Sequence, residues 1–168
     1  MKVKMFENKT LKWVFLSLFI LTSLAHFAFS LQRAEESSEV SKGVTEVVVE
    51  VINDVTNSNI TVEEAGGVVR KVIGHFMWFG LIGIFGYLTF RSFFFKKYYL
   101  TLAIGIPSGF VIAVISELLQ MVSSGRSCEF RDMMIDFGGY LTAFIVFIIV
   151  YMIIFLINKR RKTDDFNQ

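Results

Sequence analysis

Four long apolar segments interrupt an otherwise polar chain. They lie near residues 13–31, 72–90, 98–122 and 133–157. A helix needs about 20 apolar residues to cross the hydrocarbon core of a bilayer, and each segment is close to or above that length. Because backbone groups in lipid must bond within their own segment, helices are the expected form. The pattern therefore predicts an all-α integral membrane protein with four transmembrane helices.

The segment between the first and second spans has the spacing of an amphipathic helix. Its apolar positions recur every three or four residues, and acidic residues occupy the other faces. These positions are Val40, Val44, Val47, Val48, Val51, Ile52 and Val55. We expect a helix that rests on the bilayer surface or on the bundle, with a partner-binding helix as the alternative. Thr61 and Glu64 then form the Thr-x-x-Glu pattern of a capping box, which predicts a helix running into the second span.

The distribution of basic residues predicts the topology. The N-terminus, the turn at 91–97 and the C-terminal tail carry eleven of the 17 lysines and arginines, whereas residues 32–71 hold eight acidic and four basic residues. The positive-inside rule places both termini and the 91–97 turn in the cytoplasm, and residues 32–71 and 123–132 outside. Since the basic clusters adjoin apolar spans, they indicate membrane anchoring, and we expect a lipid bilayer and no nucleic acid as partner.

We expect one membrane domain over residues 14–155, followed by a basic cytoplasmic tail at 158–168. A cleavable signal peptide is the alternative for the first span, but its apolar run exceeds the usual 7–15 residues of a signal core. Cys128 is the single cysteine, which excludes an intrachain disulfide.

Polar residues near the outer ends of the spans are the candidate functional residues. Charged groups inside a span are costly and rare, so each suggests a function. The candidate ligand-binding residues are Lys71, His75, Glu117, Gln120, Arg126, Asp132 and Asp136. His26 and Ser30 lie at a similar level of the first span. Their origin in separate helices predicts a polar site at the outer rim of the bundle.

A purely structural role is the alternative for these residues. Arg126 or Arg131 would pair with Glu117, and Lys71 with Asp132 or Asp136, so that buried charges neutralise one another. Glycines in the spans are expected at close helix contacts. These are Gly80, Gly83, Gly86, Gly138 and Gly139. Pro107, with Gly105 and Gly109 beside it, predicts a kink in the third span.

The ordered motifs resemble those of the VanZ-like family. The core of the resemblance is Glu117-Leu-Leu-Gln120, then Gly125-Arg126, Asp132, a polar residue at 136 and Gly139. Phe29-Ser30-Leu31-Gln32 and the following Ser37-Ser38-Glu39-Val40-Ser41 are similar to its Ser/Gln-rich segment. Arg70-Lys71-Val72-Ile73-Gly74-His75-Phe76 is similar to its Arg-Lys…His-Phe motif.

The resemblance implies a small bacterial membrane protein of the cell envelope. The family is named for a protein associated with low-level resistance to the glycopeptide teicoplanin, so resistance is an implied role. The chain departs from the family pattern in places. Asp136 stands where the family usually has Asn, and Trp78 and Phe79 replace its common Glu-Tyr pair. His75 also lies one residue further from Lys71 than usual, although both spacings keep one helical face.

Two functions follow as hypotheses. The first is a non-enzymatic envelope protein whose outer polar pocket binds a lipid or cell-wall-precursor head group. The second is a membrane-embedded hydrolase or transferase acting on a lipid-linked substrate. Its candidate catalytic residues are Glu117, Asp132, Asp136 and His75. We expect no cofactor and no metal, because only one histidine is well placed and no metal motif is present, although a His75–carboxylate metal site is an alternative. Four spans without repeat symmetry disfavour a transporter.

Overall fold

The computed structural model describes residues 4–166, and residues 4, 5, 34 and 158–166 by their backbone alone. Within this range the chain forms helices and no strand. A short 3-10 turn, Lys4–Glu7, precedes the first helix, and a π-helical segment, Arg70–Met77, joins the third helix to the fourth. The α-helices are α1 (Lys9–Ser30), α2 (Ala34–Thr56), α3 (Val62–Val69), α4 (Trp78–Phe93), α5 (Tyr98–Val122) and α6 (Phe130–Phe166).

Four helices are long and apolar enough to cross a membrane, which confirms the predicted number. They are α1, the continuous helix Val62–Phe93, α5, and the part of α6 over Phe130–Ile157. The second of them begins at Val62, well before the predicted start near residue 72. The predicted basic tail at 158–168 continues α6 as far as Phe166, and residues 167–168 lie outside the described part of the chain.

Side chains at the helix starts satisfy backbone N–H groups that have no partner within the helix. The Asn8 side chain accepts hydrogen bonds from the backbone of Thr10 and Leu11, at 2.9 and 3.2 Å. The predicted capping box is confirmed, because Thr61 and Glu64 each accept a backbone hydrogen bond from the other. This cap fixes the start of the long helix that leads into the site.

Helix α2 lies across one end of the bundle, against α3 and the π-helical segment. It ends at Asn57, whose left-handed backbone (φ 52°) breaks the helix. The predicted helix is present, but most of its predicted apolar positions are not buried against the bundle. Thr45 and Val49 are buried instead, whereas the predicted apolar positions are mostly exposed, up to 77% at Val55.

The core lies where α4 packs against α6, with α1 and α5 on either side. Tyr140 of α6 is fully buried at its centre, beside Phe79 and Ile82 of α4. Its hydroxyl donates a hydrogen bond to the Gly105 carbonyl at 2.9 Å and lies 3.1 Å from the Ser108 hydroxyl. A buried phenol without such a partner would be costly in lipid, so this bond fixes α6 against α5.

Glycines allow α6 to pack with its backbone against the backbone of the helix that contains α4. A Cβ added to Gly83 would lie 2.5 Å from the Tyr140 carbonyl oxygen, and one added to Gly139 would collide with the backbone of Phe76. A Cβ added to Gly109, two residues after Pro107, would overlap the ring of Tyr140. Gly109 therefore makes room for a side chain of α6. Small residues serve this role between membrane helices because lipid provides no hydrophobic force to press them together.

The remaining glycines of the predicted set divide into two groups. A Cβ at Gly86 would meet the hydroxyl of Tyr140 at 2.6 Å, so Gly86 is also a close-contact position. At Gly80 and Gly138 the nearest atoms would be 3.7 and 4.0 Å away, which is ordinary contact. The expectation of close packing therefore holds for Gly83, Gly86 and Gly139 and is wrong for Gly80 and Gly138.

We expect Gly83→Ala to destabilise the protein by about 1–3 kcal/mol, because the added methyl group meets the backbone of α6, which cannot rotate away. The measurement is thermal unfolding of purified protein in detergent micelles. Gly80→Ala, one turn earlier on α4, is the matched control and should leave the melting temperature nearly unchanged. Equal destabilisation by the two variants would contradict the assigned contact.

Candidate functional site

The candidate site lies at the end of the bundle that α2 covers. It is formed by the C-terminal ends of α1 and α5, the N-terminal end of α6, the π-helical segment, and the loop 123–129. All seven residues predicted from the sequence lie here. Three short hydrogen-bonded or ionic groups connect them.

The first group is a buried pair between the π-helical segment and α6. His75 Nδ1 lies 2.9 Å from Asp136 Oδ1. His75 is 4% exposed and Asp136 is fully buried. The second oxygen of Asp136, Oδ2, has no hydrogen-bond partner in the part of the chain that the structure describes. The contact between Gly139 and Phe76 lies next to this pair in both helices, so the close backbone approach brings the imidazole and the carboxylate together.

The second group is a chain of hydrogen bonds from α5 to the loop. Gln120 Nε2 donates to Glu117 Oε1 at 2.5 Å, and Arg126 Nη2 donates to Gln120 Oε1 at 2.7 Å. The other oxygen of Glu117 accepts from the backbone N–H of Glu129 at 3.1 Å. Arg126 also donates to the Phe29 carbonyl at 3.3 Å, which ties the loop to α1.

This arrangement corrects one expected pairing. Neither Arg126 nor Arg131 forms an ion pair with Glu117 among the described residues. For Arg126 the reason is that the Gln120 amide lies between the carboxylate and the guanidinium. The Arg131 side chain is exposed. An amide bridge keeps both ends hydrogen-bonded without requiring direct contact of two desolvated charges.

The third group is the ion pair expected between Lys71 and an acidic residue of α6. Lys71 Nζ lies 3.1 Å from Asp132 Oδ1 and 4.0 Å from Glu129 Oε2. Of the two predicted partners, Lys71 therefore contacts Asp132, whereas Asp136 pairs with His75. Lys71 is about one-third exposed, so solvent weakens this pair and its role is mainly positional.

A fourth polar cluster includes a residue that the sequence analysis did not single out. Ser116 Oγ lies 2.8 Å from His26 Nε2 and 2.9 Å from Ser30 Oγ, and all three residues are buried. Ser116 precedes Glu117 and lies four residues before Gln120, so the helical spacing could have indicated it. It was missed because a neutral hydroxyl in a span is not costly in the way that a charge is.

A cavity of about 230 Å³ opens beside these groups, between α2 and the π-helical segment. Two arginines line it, Arg70 and Arg126, together with His75 and Trp78. Residues of α2 form the facing wall, among them Ser37 and Val44.

Arg126 is held in this wall by the turn before it. Gly125 adopts a left-handed backbone (φ 78°), which an L side chain rarely adopts, and this turns the chain back toward α5. Arg126 Nε is buried and makes no hydrogen bond among the described residues. Burial, and next the nearby guanidinium of Arg70, lower the pKa of Arg126 from its ordinary value. No acidic residue lines the cavity in the described part of the chain, and two arginines in its wall favour an anionic ligand.

The buried groups behind the cavity have the chemistry of acid–base residues or metal ligands. One ligand-type atom each from His75, Glu117 and Asp136 lies within 4.8 Å of the other two, and all three residues are buried. His75 lines the cavity, whereas the two carboxylates are not among its lining residues. A molecule in the cavity therefore meets the imidazole and the guanidinium groups first.

Four apolar helices with a polar site at one end define a multi-pass membrane protein. The family model described as VanZ/LLP1 matches residues 13–155, which is most of the chain, and the chain belongs to this family. The resemblance seen in the motifs is thus confirmed. No curated protein and no solved structure shows significant similarity to the chain.

We expect Ser116→Ala to destabilise the protein by about 1–3 kcal/mol, because it leaves the buried His26 ring nitrogen without its partner. The measurement is thermal unfolding in detergent micelles. Ser92→Ala is the matched control, since Ser92 is equally buried but bonds only to the Leu88 carbonyl of its own helix. If the two variants lower the melting temperature equally, the bridging role of Ser116 is wrong.

Proposed function

We propose that this VanZ-family protein binds the anionic head group of a lipid or cell-wall precursor in the cavity between α2 and the π-helical segment. The observation that carries the proposal is the presence of two arginines, Arg70 and Arg126, in a cavity wall that contains no acidic residue among those described. The buried Nε of Arg126 also has no hydrogen-bond partner there. An N–H donor without a partner in a buried site costs free energy, and an oxyanion would satisfy it with a charge-assisted hydrogen bond.

The size of the cavity supports a head group rather than a whole molecule. Its volume of about 230 Å³ is below the roughly 300–1,000 Å³ of pockets that enclose drug-sized ligands. A phosphate or carboxylate with its nearest substituents fits that volume, and the remainder of a lipid would lie outside. The exposed valines of α2 provide apolar surface beside it, of the kind that contacts acyl or prenyl chains.

The charge distribution supports an outer-leaflet location. The basic N-terminus, the 91–97 turn and the tail favour a cytoplasmic position for the opposite end of the bundle. The cavity would then face the extracytoplasmic side of a bacterial cell membrane, where cell-wall precursors are exposed. Binding of a precursor head group there would limit the access of a glycopeptide to that precursor, which is our proposed route to teicoplanin resistance.

Catalysis on a lipid-linked substrate is the second candidate. The observation in its favour is the cluster of His75, Glu117 and Asp136 beside the cavity. Binding is preferred, because only His75 of the three lines the cavity, whereas neither carboxylate is among the residues that would contact a bound head group directly. The discriminating measurement is turnover of a labelled lipid-linked diphosphate by purified protein, abolished in Glu117→Gln.

Head-group binding can be followed by fluorescence, because Trp78 lines the cavity and the other tryptophan, Trp13, does not. In a Trp13→Phe background, we expect a saturable change with short-chain phosphatidylglycerol or a short prenyl phosphate, and none with phosphatidylcholine. Arg126→Gln should weaken this binding by about 10-fold or more, the usual loss for a charge-assisted hydrogen bond.

Arg131→Gln is the matched control, since Arg131 is exposed and lies outside the cavity wall. It should leave the affinity within about twofold of the parent. The proposal fails if no anionic lipid gives a saturable signal, or if the two arginine variants bind equally. Teicoplanin susceptibility of a sensitive Gram-positive host expressing the same variants tests the resistance role separately.

A further inference from the structure

Three helical segments bring metal-binding side chains to one buried point. His75 comes from the π-helical segment, Glu117 from α5 and Asp136 from α6. One ligand-type atom from each lies within 4.8 Å of the others. Their residues are 4%, 0% and 0% exposed, so the cluster is shielded from water.

The cluster holds two acidic side chains and one basic side chain. Two carboxylates lie in a region that four apolar helices surround, where an uncompensated charge is costly. Lys71 Nζ contacts Asp132 instead, and the Arg126 guanidinium reaches Glu117 only through the Gln120 amide. Among the described residues, the cluster itself contains one basic side chain, the His75 imidazole, which contacts Asp136.

Asp136 provides a second, independent sign of a missing ligand. Its Oδ1 contacts His75 at 2.9 Å, but its buried Oδ2 has no hydrogen-bond partner in the described residues. Buried polar atoms are nearly always paired, and a cation bound among these ligand atoms would supply the partner that Asp136 Oδ2 lacks.

We propose that His75, Glu117 and Asp136 bind a divalent transition-metal ion. One imidazole nitrogen and two carboxylate oxygens suit Zn²⁺ or Mn²⁺, whereas Mg²⁺ and Ca²⁺ prefer oxygen ligands alone. Ligand atoms around a tetrahedral zinc ion lie roughly 3.3 Å apart, at metal–ligand distances of about 2.0–2.1 Å. Closing a set no wider than 4.8 Å to that spacing requires shifts of less than about 1 Å for each side chain.

The surroundings already orient one ligand. Glu117 accepts hydrogen bonds from the Gln120 amide and from the backbone N–H of Glu129, one on each oxygen. Partners of this kind hold a ligating carboxylate in place while leaving a lone pair of each oxygen for the metal. Three protein ligands leave a coordination position for water or for an anion.

This site departs from the expectation that the protein binds no metal. That expectation rested on the single well-placed histidine and the absence of a local motif. Here the other two ligands come from helices far apart in the sequence, so no short motif would reveal the set. Neither Arg70 nor Arg126 is among its three ligands, so this proposal can be tested separately from the head-group proposal, although His75 also lines the cavity.

The test uses full-length protein with a tag that lacks histidine, in a Cys128→Ser background that removes the only thiol. The protein is stripped with a chelator, exposed to Zn²⁺ or Mn²⁺ alone, separated from free ion, and analysed by elemental mass spectrometry. We expect about one ion per chain, and a melting temperature several degrees higher in the loaded protein than in the stripped one.

His75→Gln, Glu117→Gln and Asp136→Asn should each lose the ion and the stabilisation. Asp132→Asn and His26→Gln are the matched controls, a carboxylate paired with Lys71 and the other histidine, and both should retain the ion. Arg126→Gln should also retain it, which separates this proposal from head-group binding.

Circular dichroism of each stripped variant establishes that it is folded, and Co²⁺ absorption supplies a second readout. A folded wild-type protein that binds neither Zn²⁺ nor Mn²⁺ would overturn the proposal. Retention of the ion by all three ligand variants would overturn it equally.

Discussion

Two of the membrane helices approach so closely that Gly139 of α6 lies against the backbone of Phe76. No side chain separates them there, and seven residues further along the same helix Gly83 lies against the carbonyl of Tyr140 in the same way. Dispersion between such surfaces, rather than the hydrophobic effect, holds helices together in lipid. The position of the site depends on this contact, because His75 precedes Phe76 and Asp136 lies three residues before Gly139.

Much of the fold could be predicted because each span is recognisable from its own hydropathy, without knowledge of its neighbours. The capping box at Thr61 was predictable for the same reason, being a local interaction over three residues. The direction in which α2 faces was not predictable. Its valines and the line of Thr45 and Val49 both have helical spacing, and only the packing against α3 decides which side is buried.

The polar residues that gather at this end of the bundle could be named from the sequence, and their connections could not. Charged residues in or beside a span stand out because burying a charge is costly, and Gln120 shares a helical face with Glu117. Which of them touch depends on side-chain length and helix rotation. Thus Gln120, one of many polar residues, separates Arg126 from Glu117, and Ser116, which is uncharged, joins α1 to α5. Arg70 and Arg126 line the same cavity, and their pairing could not be predicted because it depends on the turn at Gly125, just before Arg126.

The π-helical segment Arg70–Met77 changes the direction in which the faces of its helix point, before and after it. Its i→i+5 bonding admits nearly one more residue per turn than an α-helix, and one residue corresponds to about 100° of rotation. The portion before the segment, α3, packs against α2, whereas the portion after it, α4, packs against α6 and α1. The widened turns decouple these two orientations. A single uninterrupted membrane helix can thereby present one face to its cover and a differently directed face to the core, without a break in its backbone.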